Sequence, residues 1–177
     1  MIVVIYAHPY PSRSRANAAL LAAIAPLPGV RVRSLYDLYP DFDIDAEAER
    51  RALEGAELVV FMHPIYWYTT PGLLKHWFDQ VLVRGWAYGE GATGLRGKDC
   101  LWVATSGGDD AAYSEAGRHA HPFEAFMPVV EQTARYCGMR WLDPFIVHGA
   151  HIVSDEELAG AAARLRERLV ARSPANA

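Results

Sequence analysis

Short apolar, β-branched runs recur along this chain, and a stretch with helical spacing follows each of them. Residues 2–7 form a continuous apolar run, the pattern of a strand covered on both faces. Residues 30–35 set Val30 and Val32 against Arg31 and Arg33, as a half-exposed strand would. Residues 57–62 and 100–105 are again continuous, and 145–148 is a weaker fifth run. Between them, 17–25 is rich in Ala and Leu, with the cap-type residues Ser12 and Ser14 ahead of it. Residues 46–54 suggest a short charged helix. In 71–83, Leu74, Trp77, Phe78, Val81 and Leu82 fall on one stripe. Residues 122–137 open with Pro122, stripe Phe123, Phe126, Met127, Val130 and Ala134, and stop at Gly138. Ser154 and Glu157 form a capping box for a last helix reaching about Ala171, and the tail 173–177 is expected to fray.

Such alternation needs crossover connections, which predicts an α/β chain with a five-stranded parallel sheet and helices on both faces. Hydrophobic residues make up 51% and charged residues 21%, enough for one core, so a single domain over 1–172 is expected. Seventeen Lys and Arg against 21 Asp and Glu give a net charge of -4, which argues against nucleic acid as the main partner. No apolar run approaches the roughly 20 residues needed to span a bilayer, so direct membrane insertion is not expected. The N-terminus lacks a basic leader and reads as a first strand rather than a signal peptide. Cys100 and Cys137 fit no CxxC pattern and read as reduced core residues, consistent with a cytoplasmic location.

In an open α/β sheet, ligands bind beyond the carboxyl ends of the strands. After the first strand, His8, Ser14, Arg15, Ala16 and Asn17 gather hydroxyls, an amide and free backbone N–H groups at a helix start, an anion site in waiting. No G-x-G-x-x-G and no P-loop pattern is present. After the third strand come Pro64, Ile65, Tyr66, Trp67 and Tyr68; three adjacent loop aromatics would wall a flat conjugated ligand. After the fourth, Thr105, Ser106, Gly107 and Gly108 allow close backbone approach. The loop then offers Tyr113 and His119 as hydrogen-bond donors toward charge appearing on a ligand. A phosphate cradle, an aromatic wall and a glycine turn would together suit a flavin or a similar nucleotide.

The block Pro64-x-x-Trp67-Tyr68-x-x-Pro71-x-x-Leu74-Lys75-x-Trp77-Phe78-Asp79-x-Val81 resembles the NAD(P)H:quinone oxidoreductase family. The opening IVVIYAHPYP and the segments SLYDLYPDFDID, RGWAYGEG and RYCGMRWLDPF are most similar to the branch that serves glutathione-gated potassium efflux antiporters as ancillary flavoproteins. The resemblance spans nearly all of 1–170. It implies a flavodoxin-like fold with strand order 2-1-3-4-5, FMN rather than FAD, and a two-fold homodimer with flavin sites at the interface.

It further implies that His8, Ser14, Arg15, Ala16 and Asn17 hold the phosphate and ribityl region. Pro64, Ile65, Tyr66, Trp67 and Tyr68 would line the ring, and Thr105, Ser106, Gly107 and Gly108 would close its polar edge. Tyr113 and His119 fall on the family's catalytic Tyr and His positions. The implied reaction is ping-pong, two-electron hydride transfer from NAD(P)H through the flavin to a small quinone. The alternative is a regulatory subunit of an antiporter, with the reductase activity secondary.

A receiver domain would need acidic residues after the first strand, where Ala7 and His8 stand. The close pairs His119/His121 and His148/His151 lie on different loops without an HExxH pattern, so no metal site is expected and solvated or capping histidines are the plainer reading.

Overall fold

A computed structural model describes residues 1–172 of the chain; the tail at 173–177, expected to fray, lies outside the described residues. Four strands carry the sheet: β1 (Ile2–Tyr6), β2 (Val30–Ser34), β3 (Leu58–Pro64) and β4 (Asp99–Thr105). Their order is β2-β1-β3-β4, all parallel, as expected. The fifth position is shared. β5 (Arg140–Trp141) pairs with the start of β4 and β6 (Phe145–Val147) with its end. The expected strand over 145–148 is therefore the second half of an interrupted edge, and two residues too short for any periodicity supply the first half.

β1 and β3 are buried along their whole length, so their alternate side chains feed two cores. Val3, Ile5 and Ala7 face the cluster containing Leu73, Leu74, Trp77 and Val81 of α4 (Gly72–Val81) and Val130 of α5 (Pro128–Tyr136). Ile2, Val4 and Tyr6 face Leu20 and Ile24 of α1 (Ala16–Ile24) and Leu165 and Leu169 of α6 (Asp155–Val170). A short α2 (Leu35–Leu38) and α3 (Ala46–Leu53) complete the helices.

Three local expectations need correction. The helix expected over 122–137 is broken: a 3-10 turn (Phe123–Phe126) precedes α5, because Pro128 has no N–H for an intrahelical bond and takes the first-turn position itself. The second strand ends at Ser34, and Leu35 opens α2 with its side chain fully buried. Ser12 and Ser14 do not cap α1; Arg15 is its N-cap and no side chain caps that end. The capping box of α6 forms as read, with Ser154 Oγ accepting from the Glu157 N–H at 3.2 Å and Glu157 accepting from the Ser154 N–H at 2.9 Å.

Glu49 of α3 is fully buried and ties three elements together. It accepts from the Arg33 guanidinium, from the Tyr39 hydroxyl at 2.6 Å and from the Trp77 indole at 3.0 Å. These donors supply what a buried carboxylate otherwise lacks. They anchor the segment between β2 and α3 to α4.

Candidate functional site

Strand order reverses at β1, with β2 on one side and β3 on the other. The carboxyl ends of β1, β3 and β4 open there into a cleft of about 480 Å³. Its first wall is the loop from His8 to the start of α1. His8 is buried, and its Nδ1 accepts from the Tyr10 N–H at 3.0 Å, which leaves Nε2 to carry a proton. Burial holds its pKa below the usual imidazole value. The bare end of α1 also borders the cleft, so the N–H groups of its first turn, uncapped by any side chain, stand at an electropositive wall. Arg15 lines the same wall, but its guanidinium is paired with Asp155 at 2.6 Å.

Asn17 crosses from this wall to the next. Its Nδ2 donates to Thr105 Oγ1 at 2.7 Å, while its Oδ1 is buried without a hydrogen-bond partner. An orphan acceptor at the edge of a cleft invites a donor from a ligand.

The second wall follows β3. Pro64, Ile65 and Tyr66 line the cleft. Tyr66 and Thr69 exchange backbone bonds of 3.1 Å each way, closing a two-residue turn in which Trp67 (φ 48) and Tyr68 (φ 65) are both left-handed. Bulky residues seldom accept that conformation, and it persists only where the surroundings impose it. The turn sends the Trp67 side chain outward, 91% exposed, so it does not wall the cleft of this single chain. Tyr68 leans the other way, over Phe126 with ring centroids 5.2 Å apart, its hydroxyl 3.3 Å from His119 Nδ1.

The third wall is the turn after β4. Thr105, Ser106 and Gly107 reach the cleft. A side chain on Gly107 would meet the His151 ring at 3.4 Å. Gly108 stands behind, where a Cβ would lie 2.8 Å from His119 Nε2 and 3.1 Å from the Tyr113 ring. Its lack of a side chain is what brings Tyr113 and His119 up to the turn. Those two rings pack at 4.4 Å. They stand beside the cleft, across Gly108, in one aromatic group with Tyr68, Phe123 and Phe126. Burial raises the Tyr113 pKa, opposed by a hydrogen bond with Ser106, so its phenol stays a proton donor at neutral pH.

Three participants escaped the sequence reading: Tyr10, Ala150 and His151. Tyr10 lines the first wall beside Arg13, whose guanidinium lies 5.7 Å from its ring centroid. Ala150 and His151 line the far side, after β6. The signal for the latter pair was available, because the strand-end rule applies equally to the fifth run. His148 is also no mere surface histidine. Ser106 donates its hydroxyl to the Gly108 carbonyl at 2.9 Å, so the 2.8 Å contact to His148 Nδ1 is an N–H donated by the imidazole. Its Nε2 lies 3.4 Å from Asp110.

An α/β sheet with a switch-point cleft, an uncapped helix end and a glycine turn defines a protein of the doubly wound class, with its ligand cleft at the carboxyl ends of the strands. Residues 1–169 match the family described as flavodoxin-like fold (Flavodoxin_2), and the chain belongs to it. It is 46% identical to the glutathione-regulated potassium-efflux system ancillary protein KefF of Citrobacter koseri, covering 99% of each. Two solved structures are also close. General stress protein 14 of Treponema denticola, in complex with FMN, is 31% identical with a TM-score of 0.91, covering 97% of this chain and 99% of that one. An enzyme from Streptomycin violaceusniger, named a thermophilic tryptophan halogenase, is 34% identical with a TM-score of 0.90, covering 96% and 98%. The three names disagree about activity, which leaves the geometry of the site to argue it.

Proposed function

We propose that this chain is an FMN-dependent NAD(P)H:quinone oxidoreductase. One observation carries the reading: a cleft that has uncapped helix N–H groups at one wall, a buried orphan acceptor on Asn17, and the backbone of Pro64, Ile65 and Tyr66 opposite that of Thr105, Ser106 and Gly107. These residues fit FMN. The α1 end with Ser14, Ala16 and His8 suits a phosphate, Asn17 Oδ1 suits a ribityl hydroxyl, and the backbone of 64–66 and 105–107 suits the edges of a flat ring. The FMN bound to the Treponema denticola relative supports the same cofactor.

Bound in the cleft, FMN would supply two-electron hydride chemistry between NAD(P)H and a quinone. The protein's part is position and field. His8 and the α1 N–H groups would hold the phosphate, and the Tyr66–Thr69 turn would fix the wall. The Tyr113 hydroxyl and the His119 imidazole supply hydrogen-bond donors for charge developing at the polar edge.

Nicotinamide and then quinone would use the same open face, bounded by Tyr68 and the exposed Trp67. A second copy of the chain would cover that rim in a homodimer. A separate groove between α4 and α5 also suits a partner copy: it measures about 450 Å³, Tyr88 and Tyr136 form part of it with rings 5.2 Å apart, and Tyr136 is 66% exposed. No helix among the described residues is long and apolar enough to cross a membrane, and a cytoplasmic location is proposed with the enzyme.

The test begins with colour. Purified protein is expected to carry FMN, identified after release, and to oxidise NAD(P)H only when a quinone such as menadione is supplied. A reconstituted chain that retains no flavin ends the proposal.

A second reading has its own support. Identity of 46% along the full length of the potassium-efflux ancillary protein favours a regulatory role at an antiporter, with turnover secondary. Retention of an antiporter's soluble domain by the purified flavoprotein would support it, and an efflux rate indifferent to the protein would refute it.

A further inference from the structure

His63, the residue before the end of β3, has no exposed surface. Both its ring nitrogens are engaged. The Trp102 indole N–H on β4 donates to Nε2 at 2.8 Å, which assigns the ring proton to Nδ1. Nδ1–H then donates to the Pro64 carbonyl at 2.9 Å. The same peptide is held from its other side, where the Ile65 N–H donates to the Thr105 carbonyl at 2.7 Å. The Pro64–Ile65 peptide is thus pinned at both its polar atoms.

Packing alone does not call for this arrangement. Trp102 is 1% exposed among Phe123, Trp141 and the β3 residues, where two apolar rings would fill the same space with no polar atoms to satisfy. In the β3–β4 register, Phe61 lies opposite Trp102 and Ala104 opposite His63, so His63 and Trp102 are diagonal neighbours on one face of the sheet. Neither borders the cleft, yet the three residues that follow His63 all do.

We infer that His63, oriented by Trp102, is a positioning residue: it sets the direction of the Pro64–Ile65 peptide and so of the backbone wall against which the cofactor's ring would lie. This rests on the FMN reading above. The relay is Trp102 N–H to His63 Nε2, then His63 Nδ1–H to the Pro64 carbonyl. The left-handed turn at Trp67 and Tyr68 begins three residues beyond that carbonyl, so a rotated peptide would displace the whole wall.

Two substitutions separate the two nitrogens. His63→Asn puts an amide N–H where Nδ1–H stands, keeping the donor for Pro64 and abandoning Trp102. His63→Gln reaches the place of Nε2, keeping an acceptor for Trp102 and abandoning Pro64. Each full-length variant is titrated with FMN, its visible band and midpoint potential are recorded, and hydrogen exchange of the Ile65 amide is followed in flavin-free protein.

His63→Gln is expected to weaken FMN binding about tenfold, as loss of one positioned contact does, and His63→Asn to stay within about twofold of the parent. The band and potential shift in His63→Gln alone, and Ile65 exchanges faster in His63→Gln alone, although both variants lower the melting temperature. Two results overturn the inference: both variants matching the parent in binding, band and exchange, or both departing from it equally, in step with lost stability. If the parent itself binds no FMN, the reading of the cleft fails, and the Ile65 exchange in the two variants decides this inference by itself.

Discussion

In the proposed mechanism Tyr113 is a buried side chain that would still act as a donor. Its ring rests on His119, and burial raises its pKa and keeps the phenol protonated. That makes it a donor, not a base. Tyr113→Phe and His119→Ala are each expected to slow flavin reduction by about a hundredfold, the usual effect of removing one preorganised donor, without abolishing FMN binding. Stopped-flow reduction at the parent rate in both would remove them from the mechanism. Glu49 is the structural counterpart. Glu49→Ala leaves the Arg33 guanidinium, the Tyr39 hydroxyl and the Trp77 indole without their shared acceptor. Breaking a buried pair in this way costs about 3–5 kcal/mol, and the partial exposure of Arg33 puts the expected loss at the lower end. Urea unfolding measures it.

At the scale of elements, the ends of helices carry much of the design. α6 begins with a full capping box and three acidic residues in its first turn, whereas α1 begins bare against the cleft. The first arrangement is for stability. Ser154→Ala is expected to cost about 1 kcal/mol, seen as a lower melting temperature with unchanged FMN affinity, because the box lies outside the proposed phosphate wall. The second leaves N–H groups for a ligand. Proline also sets boundaries here. Pro128 divides a stripe that is continuous in hydrophobic spacing, since spacing records which faces are apolar and says little about a missing N–H. The two residues of β5 were invisible for a related reason: a pair of residues has no period, and only its bonds to β4 make it a strand.

For the molecule as a whole, the buried imidazoles impose a pH dependence. Burial lowers His63 from its ordinary value to about 4, and His8 and His148 are displaced in the same direction, also by burial. Between the unfolded value near 6.5 and about 4, the unfolded chain binds protons that the folded chain refuses. Stability is therefore complete above about pH 6.5 and falls as pH drops through that window, with His63 alone contributing a loss of about 3 kcal/mol. Unfolding free energies measured at about pH 7 and about pH 4.5 check the slope, which flattens in His63→Gln. Stability that stayed level across the window would show that His63 takes up its proton in the folded protein.

The residues of the three strand ends were legible because a parallel sheet sends its carboxyl ends to one edge. His8, Asn17, Pro64, Ile65, Tyr66, Thr105, Ser106 and Gly107 all meet there. Trp67 was not legible, because its outward course depends on two left-handed residues that no spacing rule marks. Nor was the placement of Tyr113 and His119 across Gly108, which depends on a missing Cβ between distant parts of one loop.

From its amino acids alone, this chain determines where strands and helices alternate and which faces are buried, since both follow from side chains a few residues apart. The folded state decided which groups of the separate loops touch and which stay bare: the pairing of Asn17 with Thr105, the Trp102–His63–Pro64 relay and the His148–Ser106 contact. Those contacts join residues that are often distant in the chain, and their geometry is set by packing that local pattern does not encode.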